Sequence, residues 1–346
     1  MIMNNVVHCC DCMDLTKTKP DKFYDLAIVD PPYNIGKAKW DNIDNYINWI
    51  IVIMKEIQRV TKDNGSVYFF HNDFNQLAEI QTRIKNETNF ILRQFIVWNK
   101  RFIGSPLKGY LDGYVCEENL RNYQKLAEYI CFYTFQDSTG LSKVMGNCVY
   151  PIRDYIRNEI IKAKGKIVLK EINNILGTAN NGGGVASAIL SLKKTVPAFI
   201  TEIHYNKLKK WLNEKEYKYF QKEYKYLRKE YEDLRYYFNN QKTHHSVWNY
   251  DIDSDNIHPT IKPQMLILNI LKHSMRPNGI LFEPFTGSGK TRILCYDLNI
   301  KYEGCEIDRD YWQAQEERFK NHIAQPEIFD KQEIQENIFQ EQKIDL

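Results

Sequence analysis

The chain has 346 residues, 43% hydrophobic and 26% charged, enough for a sizeable core and, by length, about two domains. That excludes a chain disordered throughout. No apolar run approaches the roughly 18 residues of a membrane span, and Met1 to Val7 lacks the basic start and long apolar stretch of an export signal, so a cytoplasmic location is expected. The formal net charge of +3 conceals an asymmetry: residues 151–250 hold 19 Lys and Arg against 10 Asp and Glu, and the remainder nets −6. A basic block suits a phosphate backbone, although a solvated helical surface has the same composition.

His8 to Cys12 comes first in the chain and looks like a ligand cluster. Cys9 and Cys12 have CxxC spacing, but no second CxxC or HxxxH completes a set of four ligands. Small buried residues at the end of a strand are expected there, and no metal. With eight cysteines in a chain this long and no export signal, reduced thiols are the simple expectation.

Asp25 to Val29 is a short apolar run that fits a buried parallel strand, and the prolines of Asp30-Pro31-Pro32-Tyr33 must end it. Apolar residues at helical spacing predict a helix over 46–60. Asp63-Asn64-Gly65 reads as a turn before a strand at 66–70, followed by a helix over 77–84 and strands over 90–98 and 129–133. This alternation predicts an α/β sheet. From about Gln136 the pattern becomes helical, Lys-rich and Tyr-rich, with a flexible break at 180–184. Tyr217, Phe220, Tyr224, Leu227, Tyr231, Leu234 and Phe238 form a heptad seam, and packing within the chain is favoured over a dimer. The α/β pattern then returns: a helix over 262–274, a turn at Asn278-Gly279, a strand over 280–283, a glycine loop, a helix over 290–298, and a strand over 302–306. A last helix starts near Asp308, and a Gln- and Glu-rich tail follows from Pro326.

Gly287-Ser288-Gly289-Lys290-Thr291 invites a nucleoside-triphosphate reading. A P-loop needs a glycine five residues before Gly289, where Pro284 stands, and a dinucleotide GxGxxG would need one at Arg292. What remains is a strand, an acid, a short glycine turn and a helix, with a second strand ending in Glu306 about 20 residues on, the usual place for an acid that binds ribose hydroxyls. Such a unit can hold an adenosine without a pyrophosphate cradle; a glycine turn chosen only for its backbone geometry is the alternative. At the other segment, Asp30 and the Pro31 carbonyl offer two acceptors and Tyr33 a stacking face. The set suits an amino group on a flat ring, and a rigid turn with an exposed acid is the plainer alternative.

Together these segments resemble the S-adenosylmethionine-dependent amino-methyltransferases of DNA, in the permuted group where DPPY precedes a target-recognition region and the FxGxG cofactor loop comes last. Asp30 to Tyr33, the basic block, and Phe285-Thr286-Gly287-Ser288-Gly289 follow that order. Asp11-Cys12-Met13-Asp14-Leu15 is similar to the segment ahead of DPPY, and His258-Pro259-Thr260-Ile261-Lys262-Pro263 to the HPTQKP segment ahead of the cofactor strand. Ser246-Val247-Trp248 is similar to the element where the chain re-enters the core. Glu283 stands where the family usually has Asp, and Cys10 where it commonly has Gly.

The resemblance implies a Rossmann-like, doubly wound α/β methyltransferase sheet in circularly permuted order with an inserted, mainly helical target-recognition domain. Residues 1–136 and 245–325 would form the discontinuous catalytic domain, 137–244 the recognition region, and 326–346 a tail. The implied activity is methyl transfer from S-adenosylmethionine to adenine N6 in a base flipped out of double-stranded DNA; cytosine N4 as the target, RNA as the substrate, or a catalytically silent nucleic-acid-binding protein, are the alternatives. Asp30, Pro31, Pro32 and Tyr33 would be catalytic. Asp11, Cys12, Glu283, Phe285, Thr286, Gly287, Ser288, Gly289, Glu306, His258, Pro259, Thr260 and Lys262 would surround the cofactor, and Lys193, Lys194, Lys207, Lys209 and Lys210 would meet DNA. A homodimer and a cognate restriction enzyme are left open as partners, and a bacterial or phage source is expected.

Overall fold

A computed structural model describes residues 5–36, 41–100, 102, 126–135, 141–179, 184–193, 198–214, 218–234, 237–238, 245–253, 258 and 260–324. The chain divides into two compact units, Met1–Phe135 with Tyr237–Leu346, and Gln136–Tyr236. No helix among the described residues is long and apolar enough to cross a membrane.

The first unit is built on one sheet. Its strands are β1 (Val6–Cys9), β2 (Tyr24–Val29), β3 (Thr61–His71), β4 (Ile91–Asn99), β5 (Ala127–Thr134), β6 (Val247–Asn249), β7 (Ile280–Glu283) and β8 (Lys301–Glu306), in the spatial order β1-β8-β7-β2-β3-β5-β4-β6. Each pairing is parallel except those of β5, which runs against both β3 and β4. All six side chains of β2 are buried, as a central strand covered on both faces requires.

Helices cover the sheet. Ahead of the inserted second unit they are α1 (Cys12–Lys17), α2 (Tyr46–Val60) and α3 (Phe74–Glu87). Ile50, Ile53, Met54, Ile57 and Val60 put one face of α2 into the core. The Asp11 and Asp73 side chains cap α1 and α3 by accepting backbone N–H groups.

The second unit contains α4 (Leu141–Lys164), α5 (Leu169–Leu176), α6 (Gly184–Leu190), α7 (Glu202–Leu212) and α8 (Tyr224–Leu234). Ile152, Ile156 and Ile160 of α4 form a core with Ile172, Leu176, Ile189, Tyr205, Leu208 and Trp211. Four residues of the heptad seam are spent inside this core: Phe220 and Leu227 are fully buried, and Tyr224 and Tyr231 pack against the cluster, whereas Leu234 is exposed and Phe238 belongs to the first unit, where it stacks on Phe132. The helix starts only at Tyr224, because Phe220 takes a left-handed φ of 55° and donates its N–H to Glu159 at 2.9 Å. Tyr217 and residues 180–183 lie outside the described residues.

Back in the first unit, the chain adds α9 (Gln264–Ser274), α10 (Lys290–Asp297) and α11 (Arg309–Ile323). Asp308 caps α11 as Asp11 and Asp73 cap the earlier helices, accepting from the N–H groups of Asp310 and Tyr311.

The expected turn at 63–65 lies instead inside β3. Pairing with β2 jumps from Tyr24↔Thr61 to Leu26↔Ser66, so the extra residues bulge out. Gly65 permits this, since a Cβ there would stand 2.7 Å from the Asp25 carbonyl oxygen. The Asp25 carboxylate pins the same end of the sheet, accepting from Lys62 Nζ at 2.9 Å and the Ile280 N–H at 3.0 Å.

The chain leaves β2 through α2 toward β3, and leaves β7 through α10 toward β8 on the opposite side. The order therefore reverses between β7 and β2, which pair through Leu26↔Leu281 and Ala27↔Phe282. In open α/β sheets the crevice beyond the carboxyl ends at such a switch point is where ligands bind.

Candidate active site

Proline cannot continue a ladder of hydrogen bonds, so Asp30 to Tyr33 leave β2 over the carboxyl edge of the sheet. The next turn is fastened by Asp41, which accepts the N–H of Asn34 at 2.6 Å and of Ile35 at 3.2 Å. Asn34, at a φ of 55°, accepts the N–H of Ile43 in return. Gln76 donates to the Tyr33 carbonyl at 3.3 Å, so the segment is held from two sides.

Asp30 is engaged at both oxygens. Oδ1 accepts the Tyr33 hydroxyl at 2.7 Å, and Oδ2 lies 2.8 Å from the Lys262 ammonium. Glu128, buried on β5, lies 3.2 Å from the same hydroxyl and 3.4 Å from the same ammonium, and its other oxygen accepts from Lys100. Burial pushes the Glu128 carboxyl up, but the Lys262 and Lys100 ammoniums outweigh it and hold the group down at about 2. Burial works against the charge of Lys262 too, and the carboxylates of Asp30 and Glu128 overcome it and raise its pKa. The Tyr33 hydroxyl is pushed well above its usual value, first by burial and then by these two carboxylates, so it stays a donor. Its ring tilts against His71 at 5.0 Å.

The glycine loop leaves β7 beside this network. Gly287 and Gly289 take φ values of 50° and 72°, which only glycine adopts readily. The Gly287 N–H donates to Glu306 Oε2 at 2.9 Å, while Glu306 Oε1 accepts from Asp308 N–H. Gly289 backs onto α11, where Gln315 also donates to Thr286 Oγ1 at 2.9 Å. The His258 ring faces Gly287 and meets Tyr311 edge-on at 4.7 Å.

These segments line a cavity of about 380 Å³ in the first unit. Asp30 to Tyr33, Asp11, Cys12, His258, Thr260, Lys262, Glu283, Phe285, Thr286, Gly287, Ser288 and Glu306 are on its wall. Pro259 lies outside the described residues. Two members on this wall also make contacts that the sequence did not suggest. Lys262, expected beside the cofactor, extends its ammonium to Asp30. Glu283 has both oxygens taken, by Thr291 Oγ1 at 3.1 Å and the Tyr302 hydroxyl at 2.6 Å, and burial raises its pKa to about 8. It braces β7 against α10 and β8. Cys9 is exposed and Cys12 buried, so the CxxC pair divides between surface and core. Among the described residues no group of three His, Cys, Asp or Glu side chains is placed to hold a metal.

Sequence reasoning missed Glu128 and Lys100. They arrive from β5 and the end of β4, where Trp98 pairs with Glu128. In the second unit, Lys193, Lys207 and Lys210 are exposed, and Lys207 also donates to the Leu176 carbonyl at 2.5 Å and so closes the end of α5; Lys209 is half-buried on α7. Lys194 lies outside the described residues.

The wall suits S-adenosylmethionine. Asp11 keeps one carboxylate oxygen clear of its bond to the Met13 N–H, and Glu306 presents a carboxylate at the end of β8, acceptors fit for an adenine amine and ribose hydroxyls. Carboxylates outnumber ammonium groups around the cavity, which favours a sulfonium.

A switch-point crevice with an acid after one strand and a glycine turn after its neighbour is the arrangement of an α/β protein that binds a nucleoside cofactor. The model of the DNA methylase family that joins N6- and N4-amino methyltransferases matches residues 24–317, and the chain belongs to that family. Its cofactor is S-adenosylmethionine. The chain is 24% identical over 316 residues to the type II methyltransferase M1.MboII of Moraxella bovis, covering 90% of this chain and 95% of the relative. It is also 24% identical to the DNA adenine methyltransferase YhdJ of Escherichia coli K12, over 87% and 78% of the two chains. Among solved structures, the cytosine-N4-specific PvuII DNA methyltransferase shares the fold, with a TM-score of 0.52, 12% identity, and 98% and 93% coverage.

Proposed function

We propose that the protein methylates N6 of adenine in double-stranded DNA at a specific site, with residues 137–244 as the target-recognition region. The observation that carries this is the shared cavity, which has the Asp30–Tyr33 segment and Phe285–Ser288 of the glycine loop on its wall, with Gly289 just behind. The choice of adenine rests on the leading aspartate of Asp30-Pro31-Pro32-Tyr33 and on a relative named as an adenine enzyme.

The exocyclic amine of adenine is a weak nucleophile because its lone pair delocalises into the ring. Asp30 and the Pro31 carbonyl accept its two hydrogens, which draws the nitrogen toward tetrahedral geometry and frees the lone pair. Bound S-adenosylmethionine supplies an electrophilic methyl group. Asp11 and Glu306 hold the adenosine end, and the loop from Phe285 to Gly289 encloses the remainder, with His258 and Thr260 against it. Fixing both reactants in one crevice converts their meeting to a first-order event. A base inside a duplex cannot enter, so it flips out at a cost of a few kcal/mol, and Tyr33 stacks against it.

The test uses unmethylated genomic DNA, methyl-labelled S-adenosylmethionine, and mass spectrometry of the digested nucleosides. N6-methyladenine is the expected product. N4-methylcytosine alone would move the assignment to the cytosine enzymes, and no transfer to any DNA would sink it.

A further inference from the structure

Both strong donors to Asp30 share one alternative acceptor. Tyr33 donates to Asp30 Oδ1 at 2.7 Å and has Glu128 Oε2 at 3.2 Å; Lys262 lies 2.8 Å from Asp30 Oδ2 and 3.4 Å from the same Glu128 oxygen. A hydroxyl carries a single proton, so Tyr33 serves one carboxylate at a time. While both donors rest on Asp30, the charge that the target amine needs is already partly neutralised.

We propose that Glu128 is a positioning residue that draws Tyr33 and Lys262 away when the target amine arrives, leaving Asp30 to accept from the amine. This rests on the methyltransferase function proposed above. Three features of the site support it. Glu128 is buried and anchored: its far oxygen is held by Lys100, whose ammonium lies over the Trp98 ring at 5.0 Å. It stays ionised, because two ammonium groups outweigh its burial. The cluster holds two carboxylates and two ammoniums, so moving the donors from one carboxylate to the other leaves the buried charge balanced. The Lys262 ammonium also lies 5.2 Å from the Tyr33 ring centroid, so the two donors are adjacent and can move together.

A cluster that served only as structural cement would behave differently, since each further loss from it would cost more. The decisive experiment is a double-variant cycle on the full-length protein, with unmethylated genomic DNA and saturating S-adenosylmethionine. Wild-type turnover is the control; a silent wild type would overturn the methyltransferase assignment and this inference with it. Glu128→Gln is expected to lower kcat at least tenfold, because Lys262 can no longer leave Asp30. A weaker hold on the cofactor cannot explain a loss measured at saturation. Adding Lys262→Met is expected to restore kcat at least threefold over Glu128→Gln alone, as nothing then competes for Asp30 Oδ2. With 15N-labelled lysine, NMR of the ligand-free protein should find the Lys100 and Lys262 ammoniums in slow exchange. In Glu128→Gln only Lys262 should remain so. Should Glu128→Gln fail to fold, Glu128→Asp, too short to reach both donors, should give the same loss and the same rescue. A folded Glu128 variant with kcat within twofold of wild type, or a double variant slower than the single, overturns the proposal.

Discussion

Glu306 accepts the backbone N–H of Gly287 at 2.9 Å, so the end of β8 and the glycine loop after β7 are one piece of structure. The bond explains how an acid expected to hold ribose hydroxyls is kept in place before any ligand arrives. It also pairs a buried carboxylate with an amide that a helix-free turn would leave unsatisfied. Burial raises the Glu306 pKa, and the N–H groups of Asp308 and Gly287 oppose that rise.

The loop leaves no room for a side chain at its last glycine. Gly289 has a φ of 72°, and a Cβ there would stand 2.8 Å from Gln315 Cβ and Oε1. Gly289→Ala should therefore cost about 1–3 kcal/mol in backbone strain alone. Cofactor affinity by calorimetry should fall at least tenfold, with a lower melting temperature. An alanine variant that binds S-adenosylmethionine as wild type does would contradict this geometry.

Asp30 should be separable from cofactor binding. Asp30→Asn keeps the size of the side chain but loses its charge, and with it the pairing to Lys262. We expect kcat to drop roughly 10²–10³-fold, the scale for removing one preorganised electrostatic contact. S-adenosylmethionine should still bind within a few-fold. Loss of cofactor affinity equal to the loss of rate would place Asp30 in the wrong role.

The segments that were legible in the sequence are those where function follows directly from a strand: β2 into Asp30–Tyr33, β7 into Phe285–Gly289, and β8 into Glu306. β2 and β7 are mainly apolar buried runs ending in an unusual turn, and β8 is a mixed strand that ends in an acid, so local pattern suffices. Glu128 escaped because β5 runs antiparallel, so its first residues reach the edge where the other strands deliver their last. That depends on the pairing of Trp98 with Glu128, which no local window contains. The resemblance of His258–Pro263 to the HPTQKP segment puts Lys262 over the cofactor site, and its long side chain crosses to Asp30 after the neighbouring strand. For the heptad seam, the spacing was readable and its partner was not: Phe220 and Leu227 face α4 and α7 residues of the same chain.

Glu283 gives the stability a pH signature. Its folded pKa, near 8, is above the usual 4.5 because of burial. A raised folded value means that the folded state binds the extra proton, so this group's contribution is complete below about pH 4.5 and is lost as pH rises toward 8. Between those limits it should subtract about 1.4 kcal/mol of stability per pH unit. Glu128, held at about 2, is ionised throughout this window and contributes no slope. Melting curves from pH 5 to 8 should therefore fall more steeply for wild type than for Glu283→Gln, whose amide stays neutral. Parallel curves would show that Glu283 is ionised in the folded protein.

The lysines of the second unit divide into two kinds, and salt should tell them apart. Lys193, Lys207 and Lys210 are all exposed, but Lys207 also closes the C-terminal end of α5 through the Leu176 carbonyl. If the unit binds duplex through phosphates, each lost contact lowers the slope of log affinity against log salt by about 0.9. Lys193→Ala and Lys210→Ala should each reduce that slope and weaken binding uniformly across DNA sequences, with the melting temperature unchanged. Lys207→Ala should instead lower stability, by about 0.5–1.5 kcal/mol for a lost hydrogen bond to a helix end. Fluorescence anisotropy over roughly 50–300 mM salt and thermal melting separate the two effects. If Lys193→Ala and Lys210→Ala leave the slope untouched, these lysines are ordinary solvated surface and the duplex is gripped elsewhere.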